Sequence, residues 1–225
     1  MKAILFDCDG VLVNTEILSA RAYRETFARH GMTLAPEAFM QMIGLKQADI
    51  LKQLRSIEGG LLPPEGDAQL TETVLALIRE HVQPTEGLPE FVAGLELPFC
   101  VASSSDVPRI RLSLDTAGMI DFFEGRIFSS SMVSRGKPAP DLFLLAAGTL
   151  GAAPADCLVF EDSVAGITAA RAAGMVAVGY TGGGHLPPGH DARLRAAGAD
   201  AVIAHWSEAP ALVADLLAGA LVAQG

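Results

Sequence analysis

Short apolar runs that recur along the chain limit its fold more than any other feature. They read "AILF" at 3–6, "FCVA" at 99–102, "RIFS" at 126–129, "CLVF" at 157–160, "VAVG" at 176–179 and "DAVIA" at 200–204. From the second run onward, stretches of helical periodicity separate them. Examples are "DVPRIRLSLDTAGM", "APDLFLLAAGTLG" and "SVAGITAARAAG", each closing on or near a glycine suited to a helix C-terminus. Unbroken apolar strands that alternate with helices imply a parallel sheet covered on both faces, the α/β class. Half of the 225 residues are hydrophobic, enough for a sizeable core and against wholesale disorder.

One segment breaks the alternation. Residues 15–84 carry no convincing strand. Leu70, Val74, Leu77 and Ile78 fall on one helical face. "EILSARAYRETFARHG" and "QADILKQLRSI" also read as helical, and "EGGLLPPEG" as a loop. The expected organisation is an α/β core of residues 1–14 and 85–225 with a helical cap domain of residues 15–84 inserted after the first strand. The crossings fall near Leu12–Glu16 and Pro84–Gly87, so the cap can close over the first strand's carboxyl end.

The formal charge is −10, so the chain as a whole lacks the basic footprint of a nucleic-acid binder. No apolar stretch approaches the roughly 18 residues of a membrane span. The N-terminus enters a strand at once, without a signal-peptide pattern. Cys8, Cys100 and Cys157 lie in apolar, strand-like segments without C-x-x-C spacing and read as buried thiols. The expectation is a cytoplasmic protein with no nucleic-acid or membrane partner. Its oligomeric state is open, and a monomer is compatible with the sequence. His185 and His190 flank "LPPG" in what reads as a surface loop, with Asp191 as N-cap of "ARLRAAG"; Trp206 reads as packing.

In open parallel sheets, ligands bind outside the carboxyl ends of the strands. Strand one delivers Asp7 and Asp9, two residues apart and so on the same side of an extended chain. The second run is followed by Ser103, Ser104, Ser105 and Asp106, the third by Lys137 in "GKPAPD", and the fourth by Glu161, Asp162 and Ser163. Four carboxylates crowded in a partly buried place repel one another. A hard divalent cation relieves that repulsion, and oxygen-only ligands favour Mg²⁺ over zinc or copper. Lys137 and the serine hydroxyls are then left as donors for phosphate oxygens. Phosphoryl transfer is then an economical chemistry, with one carboxylate attacking in line and the second moving protons.

"DCDGVLV", the serine after "VA", "GKPAPD" and "EDSVAGI" resemble, in order and separation, the four motifs of the haloacid dehalogenase superfamily. The helical insert between the first two motifs matches as well. The likeness is to the branch of phosphatases that includes the β-phosphoglucomutases, and it covers nearly the whole chain. It implies a Rossmann-like parallel-sheet core with a helical cap and Mg²⁺ as cofactor. It implies Asp7 as nucleophile, passing through an aspartyl phosphate and binding the metal. Asp9 is implied as general acid/base and as a metal ligand through its backbone carbonyl. Ser103 and Lys137 are implied to hold phosphate and nucleophile, and Glu161 and Asp162 to complete the metal site.

The resemblance also makes Gly44, Lys46 and Gln47 candidates for reading the substrate, and Ser104 joins them as a substrate contact. Taken alone, Ser104 and Ser105 are ordinary loop chemistry. Three positions depart from the pattern. Asn14 stands where the family often has Asp, Ser19 where the sugar-phosphate mutases have a cap histidine, and Gln47 where they have a phosphate-gripping arginine. The departures favour hydrolysis of a sugar or sugar-acid phosphate, such as one like 6-phosphogluconate, over a phosphomutase. A signalling receiver would lack both the second acid after strand one and the cap, and a dehalogenase would need neither Asp9 nor the metal pair.

Overall fold

The structure, a computed structural model, describes residues 1–33, 47–55 and 62–218. Six strands form one sheet: β1 (Ala3–Phe6), β2 (Phe99–Ser103), β3 (Ile127–Ser129), β4 (Cys157–Glu161), β5 (Val176–Tyr180) and β6 (Ala201–Ile203). Their order is β3-β2-β1-β4-β5-β6 and every pairing is parallel. The parallel α/β sheet expected from the alternating runs is the observed one, and so is the Rossmann-like core that the resemblance implied. β1 lies between β2 and β4, where the strand order reverses, and such a switch point leaves a crevice at the carboxyl ends.

Side chains alternate across this sheet as the pleat requires. Ile4, Phe6, Val101, Leu158, Phe160 and Val178 belong to the core on one face, and Ala3, Leu5, Cys100, Ala102, Val159 and Ala177 to that on the other. Because both faces are covered, the strands are apolar throughout rather than alternating in polarity. Aromatic rings fill the first core: Phe6 stacks on Phe160 at 5.4 Å and Trp206 on Tyr180 at 4.7 Å between centroids. Trp206 is packing, as expected.

Between β1 and β2 the described chain is helical: α1 (Thr15–Arg29), α2 (Gln47–Arg55), α3 (Pro64–His81) and the short α4 (Leu88–Ala93). The first three form the cap. Leu70, Val74, Leu77 and Ile78 are buried as their spacing predicts, in one cluster with Ala22, Tyr23 and Phe27 of α1. Arg29 Nη1 donates to Thr73 Oγ1 at 3.1 Å across that pair of helices. The expected loop over "EGGLLPPEG" needs correction at its end. α3 already begins at Pro64, because proline's fixed φ suits a first helical turn.

The two crossings are tied to each other. Val13 and Pro84 form an antiparallel bridge. Asn14 donates its N–H to the Gln83 carbonyl at 3.1 Å, and its Oδ1 accepts from the Gln83 N–H at 2.9 Å. The bond needs an acceptor at position 14, not a charge, and the amide supplies it. Thr85 Oγ1 donates to the Val11 carbonyl at 2.6 Å and accepts from Trp206 Nε1 at 2.8 Å, anchoring the crossings to the core.

The remaining helices are α5 (Val107–Thr116), α6 (Ile120–Phe123), α7 (Asp141–Thr149), α8 (Val164–Ala172), α9 (His190–Ala196) and α10 (Ala209–Leu217). Among the described residues no helix is long and apolar enough to cross a membrane. The segment after β5 differs from the surface loop expected. The side chain of His185 is buried, as is His190; α9 starts at His190 with Gly189 as its N-cap, and Asp191 lies inside the first turn.

Candidate active site

The site is assembled at the carboxyl ends of β1, β2 and β4. Asp7 follows β1 directly, with its N–H bonded to the Phe160 carbonyl of β4 at 3.0 Å. Lys137, from the loop between β3 and α7, reaches under it. Its Nζ lies 2.6 Å from Asp7 Oδ1 and 2.6 Å from Glu161 Oε1. Glu161 Oε2 accepts from the N–H and hydroxyl of Ser163, at 2.7 and 2.8 Å. Both Glu161 oxygens are thus engaged within the chain. Burial alone would push the Lys137 ammonium down, but attraction to Asp7 and then Glu161 outweighs it and the group is held charged. Asp7 is pushed well above the usual carboxylate range. Burial is the main cause; Lys137 opposes it, and Glu161, Asp162 and Asp9 add repulsion. One ammonium does not neutralise these acids.

Asp9 has partners of its own. Its Oδ1 accepts from Thr15 Oγ1 at 2.5 Å and from Arg109 Nη2 at 3.0 Å. Its Oδ2 accepts from Ser105 Oγ at 2.6 Å and, at the long distance of 3.4 Å, from Ser103 Oγ. Burial disfavours the charge, yet Arg109 and the bonds from Ser105 and Thr15 hold the carboxyl below its ordinary range. Arg109 Nη2 also donates to Ser19 Oγ of α1 at 3.0 Å, so a core helix, the second acid and the cap meet at one guanidinium. The loop after β2 is braced from behind: Ser130 Oγ donates to the Ser104 carbonyl and Ser129 Oγ to the Ser105 carbonyl, each at 2.7 Å.

Asp162 approaches the turn after β1 from the other side. A Cβ on Gly10 would overlap the Asp162 carboxylate, so glycine is required there by contact as well as by its φ of +82°. Asp162 Oδ2 is buried without an aligned hydrogen bond. His185 Nε2 stands 2.9 Å from it.

The structure therefore brings Asp7, Asp9, Ser103, Lys137, Glu161 and Asp162 to one place. Ser104 is on the same loop, with its carbonyl as the bonded group. Gly44 and Lys46 lie outside the described residues, as does the side chain of Gln47. Sequence reasoning missed Thr15, Ser105, Arg109, His185 and His190. Arg109 sits in the first turn of α5, directly after the β2 strand end, and its position there is a usable signal. His185 lies beyond the carboxyl end of β5, which is paired to β4; the strand-end rule finds it once it is extended from the first four strands to the fifth.

Known proteins resemble this chain over most of its length. The model for haloacid dehalogenase-like hydrolases matches residues 1–174, and a second haloacid dehalogenase hydrolase-like model matches residues 134–220. The 6-phosphogluconate phosphatase of Escherichia coli K12 is 30% identical over 191 residues, covering 84% of this chain and 86% of that one. The fructose-1-phosphate phosphatase YqaB of the same organism is 32% identical, covering 78% and 94%. A hydrolase of this family from Deinococcus radiodurans R1, solved with bound phosphate and sodium, superposes with a TM-score of 0.80 at 34% identity, covering 96% of each chain. The matched models, the relatives and the acids gathered around Lys137 together assign the chain to the haloacid dehalogenase-like hydrolases.

Proposed function

We propose that the chain is a Mg²⁺-dependent phosphatase that hydrolyses a small phosphorylated carbohydrate, a sugar or sugar-acid phosphate, through an aspartyl phosphate on Asp7. The observation that carries this reading is Lys137 Nζ at 2.6 Å from both Asp7 and Glu161, with Asp7 raised mainly by burial and further by Glu161, Asp162 and Asp9. A further cation would relieve that repulsion. Among the described residues no three acidic, histidine or cysteine side chains converge as a ready ligand set. Mg²⁺ does not require three: it commonly takes one or two carboxylates, with water and substrate phosphate completing its shell. The oxygen-only donors and the unbonded Asp162 Oδ2 fit such an ion. Asp7, Asp162 and the Asp9 backbone carbonyl would hold it, with Glu161 buttressing Lys137 beside them. When bound, Mg²⁺ offsets the charge on the phosphoryl oxygens.

Asp7 attacks phosphorus, the ester P–O bond breaks, and Asp9 gives its proton to the leaving oxygen. Water then attacks the acyl phosphate, Asp9 takes a proton back, and inorganic phosphate leaves a regenerated Asp7. Charged Asp9 suits the second half; to serve the first it must leave Arg109 and carry a proton, taken from solvent at the outset and from the attacking water of the preceding turnover thereafter. Ser103 and Lys137 hold phosphate oxygens. The substrate class rests on the relatives named for 6-phosphogluconate and fructose 1-phosphate. On this reading residues 15–84 are the cap and 1–14 with 85–225 the core, and Gly44, Lys46 and Gln47, with Ser104, are the candidates for reading the leaving group. The free, buried thiols of Cys8, Cys100 and Cys157 accord with a cytoplasmic setting.

The test is phosphate release with MgCl₂ from a panel of sugar, sugar-acid and polyol phosphates. Wild type should release phosphate from at least one class and Asp7→Asn from none. Release no greater than that of Asp7→Asn across the panel rejects hydrolysis, and conversion of a hexose 1-phosphate to its 6-phosphate replaces it with a mutase.

A further inference from the structure

His185 is buried, with 4% of its side chain exposed, and its seat is built from absences. A Cβ on Gly10 would come within 2.7 Å of His185 Cε1, and one on Gly183 within 2.7 Å of His185 Cε1 and Nδ1. Two glycines on separate loops thus leave room for one imidazole. The Gly183 Cβ position also lies 2.6 Å from the Gly10 carbonyl, so the β5 loop is pressed against the turn that carries Asp9.

The ring's Nε2 stands 2.9 Å from Asp162 Oδ2, close to but off the hydrogen-bond axis. Asp162 is also gripped at its backbone: His190 Nε2 donates to its carbonyl at 2.7 Å. A carbonyl only accepts, so His190 carries a proton on Nε2. Two histidines of one segment hold the same aspartate by its two ends.

We propose that His185 is a positioning residue for the cation site: seated between Gly10 and Gly183 with Nε2 beside Asp162 Oδ2, it holds that carboxylate against the Gly10 turn that follows Asp7 and Asp9. This rests on the reading of Asp7 and Asp162 as ligands of Mg²⁺. Groups that orient a ligating carboxylate typically matter roughly 10- to 100-fold for metal affinity.

The experiment measures Mg²⁺ binding by calorimetry on EDTA-stripped full-length protein, for wild type, His185→Ala and His185→Gln, with the metal-free melting temperature as a control for folding. Glutamine retains an N–H donor near the position of Nε2. His185→Ala should bind Mg²⁺ roughly 10- to 100-fold more weakly, and His185→Gln should recover most of that loss. Unchanged or tighter binding in His185→Ala overturns the inference, tighter binding making His185 a competitor for Asp162. A His185→Gln variant no better than His185→Ala assigns the ring to packing and overturns it too. If wild type takes up no Mg²⁺, the cation reading fails and this inference with it; normal wild-type binding alongside an unaffected His185→Ala removes this inference alone.

Discussion

Lys137 Nζ and Asp7 Oδ1 are 2.6 Å apart, with 1% and 9% of their side chains exposed, and the same ammonium is bound to a wholly buried Glu161. Removing one partner of such a group leaves charges buried without compensation, which costs about 3–5 kcal/mol. Lys137→Met should lose that much in urea unfolding near neutral pH, along with phosphate release. Lys137→Met/Asp7→Asn should recover part of the stability, because it removes one stranded carboxylate along with the lysine. The double-mutant cycle reads the coupling directly, and a coupling of zero would place the lysine away from Asp7.

Arg109 should hold Asp9 in its charged form. Asp9 has a carboxyl lowered below 3.8, so the stability it contributes is present above that value and is lost as the pH falls through its folded pKa. In Arg109→Met the largest opposing influence is gone and burial raises Asp9. Thr15 and Ser105 still donate to it, which keeps the loss near neutral pH to about 1–3 kcal/mol. The deficit relative to wild type should narrow as the pH approaches 4, because the variant can then protonate Asp9. Chemical denaturation across that range checks it, and a deficit independent of pH would assign Arg109 to packing alone.

The parts legible in the sequence were those set by short-range pattern. Six apolar runs gave the parallel sheet, and the strand-end rule then placed Asp7, Asp9, Lys137 and Asp162 together without any knowledge of distance. The residues that escaped depend on which loops touch. Ser105 looked like ordinary loop chemistry, yet its hydroxyl is 2.6 Å from Asp9 while that of Ser103 is 3.4 Å away. His185 sits in a stretch of Gly and Pro that reads as surface. It is buried because Gly10 and Gly183 have no side chains, a complementarity between segments far apart in the chain. Asn14 departed from the expected aspartate without consequence for its bond to Gln83, since either residue offers the oxygen.

Glu16, in the first turn of α1, is buried, and its carboxyl is pushed up from 4.5 to about 7 by burial first and by the negative Asp9 next, against the opposing His185. A raised carboxyl means that the folded chain keeps a proton the unfolded chain has lost. Stability is then greatest at or below the unfolded value and declines as the pH rises toward 7. Glu16→Gln mimics the protonated form at every pH. In EDTA it should gain up to about 3 kcal/mol over wild type at pH 8 and little at pH 5. Melting curves at the two pH values measure this, and an equal effect at both would show Glu16 to be solvated.

Gly166 reverses the ordinary effect of a helical glycine. It lies in the first turn of α8, its N–H donating to Ser163 Oγ at 2.9 Å, and replacing glycine by alanine in a helix normally gains about 1 kcal/mol. Here a Cβ would overlap the Glu161 carboxylate, which is pinned between Lys137 and Ser163 and has no free direction in which to retreat. Gly166→Ala should therefore destabilise the protein by about 1–3 kcal/mol. It should also weaken catalysis, because Lys137 loses part of its support. In a Glu161→Ala background the obstructing carboxylate is gone, and the same Gly166→Ala change should turn neutral or stabilising. Urea unfolding of the four proteins measures both signs. A Gly166→Ala variant more stable than wild type would mean that Glu161 does not stand under α8, and Lys137 would then lose the second carboxylate that holds it beneath Asp7.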